Sequence, residues 1–238
     1  IDTNPGGGTL SGTTIQAALS GEATFNDLSI DKIGTGYTLK ATSGAFNVTS
    51  SAFNITPAAA NYLVVTGTAS MTAGASNELT ITAYDQFNNV ATGYTGSKSI
   101  TFTGTNPAPD GSKPKVEANN IADGAISINF TNGVSDSGAA TLTAYKAESV
   151  TVNVTDGTYN SNSGHGLSLL VDAASADNLY FSQQPSNTAV NNTITPSIRV
   201  QIRDAYNNIR TQDSSNITMS IDTNPGGGTL SGTTIQAA

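Results

Sequence analysis

The sequence contains no cysteine, no tryptophan and a single histidine, and only nine of its 238 residues are Lys or Arg. Without cysteine there is no disulfide, no thiolate nucleophile and no thiolate zinc site. Nine scattered cations against 17 acidic residues leave a net charge of −8. That is no footprint for a phosphate backbone or an anionic bilayer, so nucleic acid is set aside as a partner. No apolar run approaches the ~18 residues that cross a bilayer, so no membrane insertion is expected in this segment. The one histidine, His165, sits among Ser, Asn and Gly, with no spacing that would bring it a nucleophile and a carboxylate. It reads as a solvated loop residue, and no enzyme is expected.

What is abundant is Thr, Ser, Asn, Ala and 24 Gly. This is the composition of many short strands with polar outer faces, joined by turns. A second feature organises the chain. The stretch IDTNPGGGTLSGTTIQAA stands at Ile1 to Ala18 and again, unchanged, at Ile221 to Ala238. Chance identity over that length is negligible, so the chain carries a tandem repeat with a period of 220 residues, the offset from Ile1 to Ile221. Its ends therefore need not be domain boundaries.

In chain order, Ala23 and Phe25, then Tyr37, Leu39 and Ala41, alternate with polar residues as half-buried strands do, and a short strand follows at Ala52 to Ile55. After a Pro/Ala connector at Thr56 to Asn61, seven strands are expected. They are Tyr62 to Thr66, Glu78 to Tyr84, Ser99 to Thr103, Ala125 to Phe130, Ala139 to Ala144, Ser149 to Thr155 and Leu167 to Val171. Asp-Gly and Asn-Gly turns punctuate them, as in a β-sandwich. A second connector, Asp172 to Asn178, leads to a segment that matches the opening of the first set. LTITAYDQFNNV at Leu79 to Val90 aligns with IRVQIRDAYNNI at Ile198 to Ile209, and GAATL at Gly138 aligns with GEATF at Gly21.

The expected organisation is thus all-β, with two related immunoglobulin-like sandwiches per period. Residues 58–173 hold a complete one. Residues 174–238 hold the N-terminal half of another, and residues 1–57 hold a C-terminal half, with 221–238 repeating 1–18.

LYFSQQPSN near Leu179, the V-x-I-x-D-x-Y-N-N hairpin at Val200 to Asn208, NPGGGTLSGTT, and GEATFNDLSIDKIGTGYTLKATS resemble the bacterial immunoglobulin-like (Big) domains found in tandem arrays in large surface proteins and adhesins. The resemblance covers both sandwiches, and more closely the divided one. It implies an extracellular, cell-surface stalk, adhesin shaft or filament, whose partners are neighbouring repeats of the same protein. It supplies no catalytic residue.

Two alternatives keep the fold: a subunit assembling head to tail by strand complementation, and an adhesin module that binds a glycan or host protein. Near-identical copies favour a spacer over a binding tip.

Oxygen-rich turns at Asp85 and Asp204, each followed by paired Asn, are the candidates for calcium. Asp172 and Asp177, which flank a connector, are the others. The opposing expectation is that these Asp and Asn residues cap their own backbone, with Phe87 or Tyr206 packed on the sandwich end. No other cofactor is expected. The Gly-rich stretch lacks the Lys and following helix of a phosphate loop. Lys40 lies on the polar phase of its strand and Lys146 near a turn, against an internal isopeptide. Tyr94 and Tyr159 are the only aromatics in loop-like stretches that suggest a sugar platform. Sequons occur at Asn47, Asn54, Asn129, Asn153, Asn191 and Asn216.

Overall fold

The computed structural model describes residues 1–238 and is nearly all β; its one helical element is the 3-10 turn Ile121–Asp123. In the centre of the chain an eight-stranded sheet runs in the order Tyr62–Thr66, Thr80–Tyr84, Val134–Ser135, Ile126–Thr131, Gly96–Thr103, Glu148–Thr155, Leu167–Asp172, Ser70–Thr72. A four-stranded sheet, Asn119–Asn120, Lys115–Val116, Thr141–Thr143 and Ser76–Glu78, completes the sandwich.

Period-2 alternation builds the interior. In Ile126–Thr131 the residues Ile126, Ile128 and Phe130 are buried while Ser127, Asn129 and Thr131 face out. Leu167, Leu169 and Val171 do the same in Leu167–Asp172. The resulting core of 24 buried residues lies wholly between Leu63 and Val171. At about 1.5–3 kcal/mol for each large apolar side chain buried, this cluster is what holds the centre together.

All seven expected central strands form. The one read as Glu78 to Tyr84 divides at Leu79, because Glu78 pairs with Thr141 in the small sheet whereas Thr80 to Tyr84 pair with Tyr62 to Thr66 in the large one. Every strand pairing is antiparallel except one: Ser70, Met71 and Thr72 run parallel to Leu170, Val171 and Asp172.

The flanking segments form only two-stranded pieces. In residues 1–57, Leu10–Ser11 pairs with Ser29–Ile30, Gly34–Tyr37 with Phe53–Ile55, and Lys40–Ser43 with Phe46–Thr49. In residues 174–238, Ala176–Gln183 pairs with Arg199–Asp204, and Asn216–Thr218 with Ile235–Ala237.

The expected strand at Ala23 and Phe25 does not form. Its aligned partner-strand in the centre, Thr141–Thr143, is held by Ser76–Glu78. The residues that would play that part for Ala23 to Phe25 lie just before Ile198, in the other flanking segment.

The sequence matches carry through to register. Leu63 faces Ala83 and Val65 faces Ile81, just as Leu179 faces Ile202 and Phe181 faces Val200. At the closing side, TVNVT at Thr151 aligns with TLKAT at Thr38, and Val150 faces Leu169 as Tyr37 faces Phe53, with a bulge between Thr35 and Tyr37 that the central pair lacks.

Candidate functional site

The two D-x-(Phe/Tyr)-N-N turns occupy equivalent places, each where a flanking segment meets its neighbour. In both, the first Asp N–H donates to the carbonyl of the last Asn, Asp85 to Asn89 at 2.9 Å and Asp204 to Asn208 at 3.0 Å. The residue between the two, Asn88 or Asn207, takes the left-handed conformation, with φ of 64° and 63°. Asn tolerates that region better than most residues, which accounts for its choice here.

Asp85 is fully buried. Its Oδ1 accepts the N–H groups of Phe87 and Asn89, both at 2.9 Å, and its Oδ2 accepts Asn89 Nδ2 at 3.2 Å. The remaining bond reaches out of the turn, because Ala58 N–H in the connector donates to Oδ2 at 3.1 Å. Asn89 faces the other way, with Nδ2 donating to the Asp31 carbonyl at 3.1 Å. Lys32 Nζ donates to the Phe87 carbonyl at 2.9 Å.

The second turn repeats the plan. Asp204, also fully buried, accepts Tyr206 N–H at 2.9 Å, Asn208 N–H at 2.8 Å and Asn208 Nδ2 at 2.8 Å. Ala174 N–H in the second connector donates to its Oδ2 at 2.8 Å. Asn208 then joins the central sandwich: Nδ2 donates to the Tyr145 carbonyl at 2.7 Å and Oδ1 accepts Ala147 N–H at 2.8 Å. Tyr206 packs edge-on against Tyr145, with ring centroids 5.0 Å apart, over Gly74, where a Cβ would strike its hydroxyl. Arg210 donates to the Ala174 carbonyl.

Each junction is thus one carboxylate gripping the connector and one carboxamide gripping the preceding segment. Such charge-assisted bonds from N–H to carboxylate are among the stronger hydrogen bonds.

Of the candidate calcium residues, Asp85 and Asp204 turn their oxygens to N–H donors, whereas Asp172 and Asp177 are exposed, Asp177 accepting Asn178 Nδ2 at 3.0 Å. No group of three or more acidic or histidine side chains converges on one point. Tyr206 packs as expected; Phe87 does not, and remains open to solvent. Tyr94 is buried rather than displayed: it meets Phe130 edge-on at 4.9 Å and donates its hydroxyl to Asp156 Oδ2 at 2.7 Å. Tyr159 is half-buried against the same core. His165 is not free in a loop but stacks on Tyr62, with centroids 4.3 Å apart. Lys40 is exposed, and Lys146 pairs with Glu148 at 3.1 Å. The open cleft beside the second junction has its cations engaged, Lys146 as above and Arg203 stacked 3.6 Å over the Tyr180 ring.

Burial pushes the Asp85 carboxyl up, but the bonds from Asn89, Ala58 and Phe87 outweigh it and hold the group below its ordinary value of 3.8. Asp156 follows the same balance, with burial opposed by bonds from Tyr159, Tyr94 and Thr158. Tyr94 is raised above its ordinary 10.0, first by burial and then by its bond to Asp156. The signs fix the pH response. A depressed carboxylate stabilises the fold above its unfolded pKa and loses that contribution as pH falls through the folded one. A raised phenol stabilises below 10.0 and loses its contribution as pH rises toward the folded value. Unfolding midpoints in urea are therefore expected to be flat near neutrality, to fall in acid below about pH 4, and to fall again in alkali above about pH 10. Tyr94→Phe should weaken the alkaline fall; an unchanged limb in that variant would count against this assignment.

No protein-family model matches the chain, and no curated protein is significantly similar to it.

Proposed function

We propose that the chain is a repeat unit of a long extracellular stalk, adhesin shaft or filament. In this reading, two immunoglobulin-like sandwiches per 220-residue period follow one another, and the protein's partners are its own neighbouring repeats. One observation carries it. The same 18 residues occur a full period apart, and each copy is paired only with the half of a sandwich that lies on its own side. Such a stretch belongs in the interior of a sandwich, and the fold runs through it from one period into the next.

The junctions support the mechanical part of the reading. Connectors as short as Thr56 to Asn61 leave little slack, and their N–H groups are tied down by Asp85 and Asp204. With a strand rise of about 3.4 Å, each sandwich extends very roughly 35–40 Å, so many copies reach far from a surface. The extracellular, cell-surface setting rests on the resemblance to Big domains. Rigidity, reach and a low charge density suffice for a shaft, and no chemistry is required of it.

Denaturing electrophoresis of the native source material tests the reading. A species many times heavier than 24.1 kDa is the expected result. A band at 24.1 kDa would reject a continuous array in favour of separate subunits.

A further inference from the structure

The flanking segments expose what the centre buries, at matched positions of one fold. Leu63 and Val65 are 0% and 3% exposed, and their counterparts Leu179 and Phe181 are 59% and 38% exposed. Leu142 is 0% exposed, and its counterpart Phe25 is 43%. Apart from local bulges the strand pairs of both flanks keep the central registers, so each half has its own hairpins in place and lacks the strands that the other half supplies.

The duplicated stretch makes the gap explicit. In the first copy, Gly6 and Gly8 leave no room for a Cβ against the Ile33 carbonyl, Ile30 and the Tyr37 hydroxyl, and Tyr37 is fully buried beneath them. In the second copy Gly226 and Gly227 have nothing within 4 Å, and Gly228 meets only Asn224 Oδ1 of its own loop. Conversely, Ile235–Ala237 is a strand held by Asn216–Thr218, while the same Ile15 to Ala17 in the first copy is unpaired and exposed. One copy holds the closing half and the other holds the opening half, and a complete sandwich needs a single copy to do both.

We infer that residues 174–220 form a docking surface for residues 1–57 of a second copy of this chain, giving head-to-tail assembly; the inference rests on that part of the repeat-unit reading which divides one sandwich between these two segments, and not on the continuity of the array. A second copy is the occupant because one chain cannot close on itself. The Asp85 turn and the Gly74 turn lie at opposite ends of the strand Thr80–Tyr84, so the two half-sandwiches sit at opposite ends of the centre. The register follows from the present pairing. Ile15, Gln16 and Ala17 of the incoming copy take Thr218, Ile217 and Asn216, which Ile235, Gln236 and Ala237 now occupy. Ala23 then accepts Ile198 N–H as Ala140 accepts Leu79 N–H at 3.1 Å in the centre.

The incoming copy takes the slot because it brings the rest of the closing half with it, Phe25 included, to cover Leu179 and Phe181, which the resident stretch leaves exposed. Its stretch is held by Thr9 N–H on Asp31 at 2.6 Å, by Thr13 on Asp27 at 2.7 Å, and by the Tyr37 cover. The resident 221–238 has a three-residue ladder and its own Asn224 loop.

A chain without native cysteine permits a clean test. The full chain carrying Gln16→Cys and Ile217→Cys is purified reduced and then oxidised at rising concentration. A reducible ladder at multiples of 24.1 kDa, absent from each single-cysteine variant, is expected. A monomer band at all concentrations, or an equal ladder from a single-cysteine variant, overturns the inference. Sedimentation of the unaltered chain guards against damage by the substitutions: mass should rise with concentration, and a constant monomer mass is the contrary result. Heavy native material with no ladder would reject docking in trans and leave the shaft standing. A native mass of 24.1 kDa with a ladder would do the reverse.

Discussion

Leu63→Ala is expected to destabilise the central sandwich by about 3 kcal/mol, whereas Leu179→Ala, at the matching position, should change the stability of the monomeric chain by less than about 0.5 kcal/mol. The chemistry of the two substitutions is the same. Leu63 lies wholly within the core, so its removal forfeits transfer energy and leaves a cavity; Leu179 still touches water, so little is lost. The contrast becomes a probe of the proposed division of a second sandwich when the chain is reordered so that residues 174–220 run directly into 1–173. There both halves share one polypeptide, and Leu179→Ala should now cost about as much as Leu63→Ala does. Urea unfolding followed by tyrosine fluorescence reads the two parent chains and the three variants. If Leu179→Ala stayed neutral in the reordered chain, the two halves would not form one core.

Asp85→Ala should be nearly as damaging, by about 3 kcal/mol, although it removes no apolar contact. It strands the N–H groups of Ala58, Phe87 and Asn89 together with the Asn89 amide, and a buried donor without a partner costs about 1–3 kcal/mol. Ala58 and Phe87 are exposed residues whose N–H groups can turn to solvent once the carboxylate is gone, which keeps the total well below the sum. Asp85→Asn restores an acceptor for the turn but sets an amide NH2 against the donors of Ala58 and Asn89, so an intermediate loss is expected. The informative readout is amide exchange at Ala58. A turn cap alone would leave that amide unaffected, and a junction clamp requires its protection to fall in both variants. At the second turn, Asn208→Ala should expose the Ala147 amide in the same way.

The strands of the centre could be read from alternation because their burial alternates with period 2, and that periodicity is written in the side chains. The two-residue strands Lys115–Val116 and Val134–Ser135 are too short to show a period. They exist because neighbours present free backbone groups to them. The Asp85 and Asp204 turns were legible as turns from DQFNN and DAYNN. Their reach to Ala58 and Ala174 was not, since those residues donate main-chain N–H groups that any residue but proline would supply. Tyr94 illustrates the converse. Its neighbours Thr92, Gly93, Thr95 and Gly96 read as loop, and nothing local announces a hydroxyl bonded to Asp156, 62 residues away. Phe25 had the right alternation and still formed no strand, because a strand is a property of a pair.

The lone parallel pairing, Ser70–Thr72 beside Leu170–Asp172, decides how the central sandwich meets a pulling force. Tension drags the chain that precedes Ser70 backwards and the chain that follows Asp172 forwards. Two strands running the same way are then slid along each other, so their hydrogen bonds bear load together. A hairpin at that place would instead peel open one bond at a time. Survival under force is governed by the rate of unfolding rather than by equilibrium stability. A short, unassuming edge strand is therefore where a shaft under tension would hold or give way.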